Sequence, residues 1–242
     1  MNMNVAVSNT QGRGLPAPVV ERPELEIVGR AEAFPVRRIY CVGRNYLEHI
    51  REMKEGDERD PPFFFQKPTD AVVSDGKVPM PSCTSDYQYE LELVVAIGRS
   101  GQDLSADEAL DVVLGYAVGL DMTRRDRQRE SFRKGLPWEI GKSFDHSAPC
   151  GRIHPVETVG HIQAGAIELK VNGQPRQQSV IEKMIWNVPE IVAQLSRQYR
   201  LMPGDLVFTG TPEGVGAVVP GDRLTGAIAG LEPLEVEILP RG

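Results

Sequence analysis

The chain has 242 residues, 40% of them hydrophobic, with 27 Lys and Arg against 34 Asp and Glu for a formal net charge of -7. That is ordinary globular composition with length for one large core, and its acidic balance excludes a general attraction for nucleic acid or anionic lipid. No stretch approaches the ~18 apolar residues that cross a bilayer, and no basic segment with an apolar run opens the chain, so a cytoplasmic protein without a membrane partner is expected.

Residues 1–34 mix Asn, Gln, Gly, Pro and short apolar pairs without periodicity. They read as an N-terminal extension, a tail or loosely docked strand, ahead of one catalytic domain over 35–242. Arg38 to Val42 reads as a strand. A short helix is expected from Tyr46 to Lys54, followed by the charged loop Glu55 to Asp60. On that helix His49 and Glu52 are spaced i,i+3, so the carboxylate can orient the imidazole and raise its basicity. Such a pair can deprotonate water; the alternative is an exposed contact on a helix face.

Phe63 to Phe65 is a second apolar run, and Tyr87 to Ile97 carries the strongest local signal. Strand alternation puts the side chains of Glu90 and Glu92 on one face, with α-carbons roughly 6.5 Å apart. Two carboxylates beside an apolar run repel each other and lose hydration, which calls for positive charge between them. An oxygen-only ligand set favours a hard cation such as Mg²⁺, Mn²⁺ or Ca²⁺; a solvated strand face is the alternative.

Ser105 and Glu108 form a capping-box pattern before a helix containing Ala109 and Leu110. Gly115 to Leu120 then drives a strand into Asp121, a third carboxylate, with Arg125 and Gln128 about one helical turn further on. Arg125 either faces the same pocket or neutralises the acids as an ion pair. The basic cluster Arg124, Arg127, Arg129, Arg133 and Lys134 meets a distant substrate carboxylate or is a solvated charged helix. In Gly141-Lys142-Ser143-Phe144-Asp145 the lysine can stabilise negative charge developing on a substrate oxygen, or snorkel at the surface.

Ile167 to Val171 is a strand, and Pro189 fits the first turn of a helix over Glu190 to Gln198 with Ile191, Val192 and Leu195 on one face. Pro-Gly-Asp occurs at 203–205 and 220–222, each time introducing a strand-like segment, so the last third reads as antiparallel β structure. Thr209-Gly210-Thr211-Pro212-Glu213-Gly214-Val215-Gly216 follows one of those strands. Its glycines expose backbone N–H donors and Thr211 offers a hydroxyl, but no P-loop ending or strand-linked GxGxxG is present, so no phosphate cofactor follows. Cys41, Cys83 and Cys150 lack CxxC spacing and read as reduced apolar residues, with a catalytic thiol at Cys41 or Cys150 as the alternative.

Taken in order, Gly43-Arg44-Asn45-Tyr46 with His49 and Glu52, the Tyr89 to Leu93 strand, Asp121 with Arg125, Asp126 and Gln128, Gly141 to Asp145, and Thr209 to Gly216 resemble the fumarylacetoacetate hydrolase superfamily over residues 35–242. The resemblance implies a β-rich α+β fold, a mixed β-roll with a few helices, assembled as a homodimer. It implies Mg²⁺ or Mn²⁺ on Glu90, Glu92 and Asp121, and His49 with Glu52 as the water-activating dyad. Lys142, Arg44, Arg125, Gln128, Gly210 and Thr211 would contact a small dicarboxylic oxo-acid. Pro62 to Pro68, Thr123 to Gln128 and Trp138 to Lys142 are similar to the branch that cleaves fumarylpyruvate in gentisate-type aromatic degradation. The expected reaction is therefore hydrolysis of an acylpyruvate C–C bond. The rivals are decarboxylation or isomerisation of a related oxo-acid such as oxaloacetate at the same site, and a binding protein without catalysis.

Overall fold

A computed structural model describes residues 22–53 and 60–242. Its central element is the strand Leu91–Ile97, all seven residues of which are buried, as a strand covered on both faces requires. Leu91, Leu93, Val95 and Ile97 enter one apolar cluster, while Val94 and Ala96 enter a second on the opposite face. Glu92 belongs by alternation to the second face.

Six strands form the main sheet in the order His154–Pro155, Val113–Leu120, Leu91–Ile97, Asp205–Phe208, Arg38–Gly43, Phe63–Lys67. Five more, Gln174–Val180, Ala166–Val171, Arg223–Ile228, Leu234–Leu239 and Lys77–Pro79, form a second sheet. Ile167, Leu169, Leu224 and Val236 from this sheet share the first cluster with the central strand. The hairpins of the last third are antiparallel as expected, but the reading is incomplete. Asp205–Phe208 runs parallel to Arg38–Gly43, and Leu234–Leu239 parallel to Lys77–Pro79, because both pair with strands from the first third. Both Pro-Gly-Asp turns use one device. Asp205 Oδ2 accepts from Met202 N–H at 2.9 Å, and Asp222 Oδ2 accepts from Val219 N–H at 2.8 Å.

The helices are few and short. Ala106–Ala109 has the expected Ser105–Glu108 capping box and then tightens into a 3₁₀ turn over Leu110–Val112. Val188–Gln198 starts two residues before Glu190, since Asn187 and Glu190 cap it reciprocally around Pro189. Leu47–Met53 is helical, whereas Lys54 and the charged loop through Arg59 lie outside the described residues. Near the N-terminus, Glu24–Glu26 pairs antiparallel with Ala33–Pro35. Leu25, Ile27 and Phe34 are buried in the second cluster, so this hairpin straddles residue 34 and belongs to the core. Residues 1–21 lie outside the description. Among the described residues no helix is long and apolar enough to cross a membrane.

Candidate active site

The chain bends out of strand geometry at Glu90, between Tyr87–Tyr89 and Leu91–Ile97, and Asp121 follows directly on Val113–Leu120. Asp121 N–H donates to the Glu90 carbonyl at 2.9 Å, which splices the two strand ends. Glu90, Glu92 and Asp121 are 5%, 1% and 1% exposed, and each offers a carboxylate oxygen within 4.8 Å of the others. Three buried oxygen donors converging in this way suit a hard divalent cation.

Three cations face them. Lys142 Nζ donates to Glu90 Oε2 at 2.8 Å, Asp121 Oδ2 at 2.7 Å and Thr123 Oγ1 at 2.7 Å. Arg125 Nη2 donates to Glu90 Oε1, Nε to Gln88 Oε1 at 2.8 Å, and Nη1 to Gln128 Oε1 at 2.5 Å. Lys67 Nζ donates to the carbonyls of Met122 and Lys142 and lies 2.8 Å from Asp121 Oδ1. That last contact is a buried ion pair.

The charges are unevenly matched. Burial opposes ionisation of Glu90, but Lys142 and Arg125 outweigh it and hold the carboxyl far below the usual range. Glu92 is pushed the other way, by burial first and then by the charges of Asp121 and Glu90. Its one opposing hydrogen bond is the Gly210 N–H on Oε2, 2.8 Å. Lys142 and the Gly210 amide do not offset the burial and like charge on Glu92, and a divalent ion among the three converging carboxylates would do so, so the residues fit the cation expected from the sequence.

Across the cleft, His49 Nδ1 lies 3.4 Å from Glu52 Oε2 on the helix Leu47–Met53. The same Oε2 accepts from Gly214 N–H at 3.2 Å. The hydrogen bond to His49 leads burial and the Gly214 bond in setting Glu52, and the net effect holds it below the usual carboxylate range. A carboxylate at Nδ1 favours the proton there and leaves Nε2 as the basic nitrogen. The preceding segment is clamped by Asn45, whose Nδ2 donates to the carbonyls of Thr209 at 2.7 Å and Trp186 at 2.9 Å. Gly210 sits at φ +95 with Asn45 Cβ 2.6 Å from where its own Cβ would lie, so only glycine fits this crossing.

A narrow cleft of about 30 Å³ joins the two sides and is lined by Arg44, His49, Glu90, Glu92, Asp121, Arg125, Gln128, Lys142 and Thr211, with Phe65 and Trp138. Glu52 and Gly210 act from behind this lining. Gly210, expected to touch substrate, spends its N–H on Glu92, and Thr211 Oγ1 accepts from Gln177 Nε2 at 2.9 Å. None of Arg124, Arg127, Arg129, Arg133 and Lys134 lines the cleft. Arg124 stacks on Phe144 at 4.1 Å, Arg127 and Lys134 pair with Glu130, and Arg129 pairs with Asp86, so this is the charged-helix alternative. Cys41 and Cys150 are buried and neither lines the cleft; burial, with the nearby charge of Asp121, pushes the Cys41 thiol well up, and burial pushes that of Cys150 up to about 12. Neither is placed to act as a nucleophile. Sequence reasoning missed Lys67, which closes the strand Phe63–Lys67 and is buried beside Asp121.

The family described as "Fumarylacetoacetate (FAA) hydrolase C-terminal" matches residues 38–239. The chain is 48% identical over 178 residues to a fumarylpyruvate hydrolase of Ralstonia sp, covering 74% of this chain and 92% of that protein. It is 40% identical over 203 residues to the mitochondrial oxaloacetate tautomerase FAHD1 of Rattus norvegicus, covering 84% and 91%. Among solved structures, fumarylpyruvate hydrolase from Pseudomonas aeruginosa, in complex with Mn²⁺ and pyruvate, superposes with a TM-score of 0.91 at 52% identity, covering 94% of this chain and 100% of that one.

Proposed function

Because this chain belongs to the fumarylacetoacetate hydrolase family, we propose that it hydrolyses the C–C bond of an acylpyruvate, converting fumarylpyruvate to fumarate and pyruvate in aromatic degradation. We place it in the cytoplasm as a homodimer, with a catalytic domain over residues 35–242 that also takes in the hairpin strands Glu24–Glu26 and Ala33–Pro35. The observation that carries the reading is the pairing of a buried three-carboxylate cluster with an oriented imidazole across one small cleft.

A divalent ion of the Mg²⁺ or Mn²⁺ type, held by Glu90, Glu92 and Asp121, supplies Lewis acidity and neutralises substrate charge. His49 Nε2 takes a proton from water, and Glu52 at Nδ1 stabilises the imidazolium that results. The water oxygen attacks the distal acyl carbonyl. Lys142 lines the cleft; its three N–H groups are held by Glu90, Asp121 and Thr123, so it meets the oxyanion as a fixed positive charge. Because Arg125 occupies Gln128 Oε1, the Gln128 amide nitrogen is left as a donor. Arg125 offers a planar fork for a substrate carboxylate or oxo group. The bond between the acyl carbon and the pyruvate methylene then breaks. Its electron pair goes to the pyruvate fragment, whose carbon recovers the proton from His49.

The test is to load the protein with Mg²⁺ or Mn²⁺, supply fumarylpyruvate, and follow the loss of acylpyruvate absorbance with fumarate and pyruvate quantified in equal amounts. A second reading, tautomerisation or decarboxylation of oxaloacetate, is favoured by the likeness to FAHD1. Carbon dioxide release or keto–enol exchange from oxaloacetate, without acylpyruvate cleavage, would establish it instead. Sedimentation at equilibrium checks the dimer.

A further inference from the structure

The strand Phe63–Lys67 lays three side chains along one face: Lys67 at the acid cluster, Phe65 in the middle and Phe63 at the far end, about 6.5 Å from one to the next. Lys142 Nζ is 5.3 Å from the Phe65 ring centroid, so the aromatic surface begins beside the reacting groups. Trp138 covers this strip, edge-on to Phe63 at 4.9 Å and tilted over Phe65 at 6.0 Å. The guanidinium of Arg44 closes the far end, 5.5 Å from the Phe63 ring and 5.9 Å from that of Trp138. The strip is fixed in advance. Phe63 atoms lie 2.1 Å from where a Cβ on Gly43 would stand, so the ring rests on a backbone that only glycine leaves bare.

We propose that Phe65 and Trp138 form the subsite for the acyl arm, and that Trp138 selects acyl groups that are flat and extended. This rests on the hydrolase reading. An acyl arm leaving the acid cluster meets Phe65 and then Trp138, which both line the cleft. A compact oxo-acid held at the carboxylate end stops short of Trp138, so the residue contributes nothing to it. Flat conjugated groups gain most from ring faces and pay little conformational entropy.

The test compares fumarylpyruvate with acetylpyruvate, whose acyl arm is one methyl group, on metal-loaded wild type, Trp138→Ala and Trp138→Phe. Trp138→Ala should raise KM for fumarylpyruvate by about 10-fold or more while kcat, and KM for acetylpyruvate, move less than about 3-fold. Trp138→Phe keeps a ring, recovers most of the loss, and stands in if the alanine variant does not fold. Equal KM changes for both substrates, or none for fumarylpyruvate, overturn the proposal. If wild type cleaves neither acylpyruvate, the hydrolase reading fails and calorimetry decides the subsite. Weakened fumarate binding with pyruvate binding unaltered in the variants supports it, and unaltered fumarate binding overturns it.

Discussion

On the sheet side of the cleft, Lys142 alone makes three hydrogen bonds of 2.7 to 2.8 Å to groups fixed by strand ends. On the helix side, His49 and Glu52 ride on a seven-residue helix and are tied by contacts of 3.4 and 3.2 Å. The difference separates two tasks. Charges that must meet developing charge are set before substrate arrives, because reorienting them during reaction would cost the stabilisation they give. A proton acceptor needs only to come within reach of water, and its hydrogen bonds commonly tighten when substrate binds.

The contrast breaks hardest at Lys142. Lys142→Met leaves Glu90 and Asp121 buried without their shared ammonium, and we expect kcat/KM to fall by about 10³-fold or more, with about 3–5 kcal/mol of unfolding free energy lost. Urea denaturation beside steady-state kinetics checks both, and activity lost with stability intact would show the ammonium to be catalytic only. His49→Asn should lower kcat by about 10²–10³-fold while divalent-ion affinity and melting temperature hold, since the imidazole contacts none of the three acids. Weakened Mn²⁺ binding in calorimetry would join the two walls into one unit.

Adding Mn²⁺ to chelator-treated protein should raise stability, by about 2.7 kcal/mol at a hundredfold excess over Kd, through relief of Glu92 and Asp121. A Glu92→Gln variant with the same response would remove those residues from the cation site. Glu52→Gln gives the smallest effect, roughly a 10-fold drop in kcat from a less well oriented imidazole. Its stability effect has a sign. The folded carboxyl titrates below its ordinary value, so its contribution is present above that value and lost as pH falls through the depressed one. The stability gap between wild type and Glu52→Gln should therefore close in acid, and a gap that widens there would reverse the assignment.

The sheet wall was largely legible in the sequence. Alternation placed Glu90 beside Glu92, although the strand is interrupted at Glu90, and the strands expected at Arg38 to Val42, Gly115 to Leu120 and Ile167 to Val171 are found within one or two residues, as Arg38–Gly43, Val113–Leu120 and Ala166–Val171. Both longer-range clamps were hidden. Asn45 reaches Trp186 and Thr209, and Lys67 reaches Lys142, across 141, 164 and 75 residues, a separation that no local pattern encodes. The four-residue helix Glu139–Lys142 is too short to show a period, so the seat of Lys142 could be read only from its neighbours in the family pattern. The direction of pairing between distant strands was hidden for the same reason.

The Thr209 to Gly216 loop spans the two walls through two backbone amides, with Gly210 N–H on Glu92 and Gly214 N–H on Glu52. The five residues from Gly210 to Gly214 thus act as a caliper between the carboxylate cluster and the proton acceptor. Changing the length of that span by one residue, with every reacting side chain kept, would alter the gap that water and substrate must fill; relatives with different working gaps could arise from the loop alone.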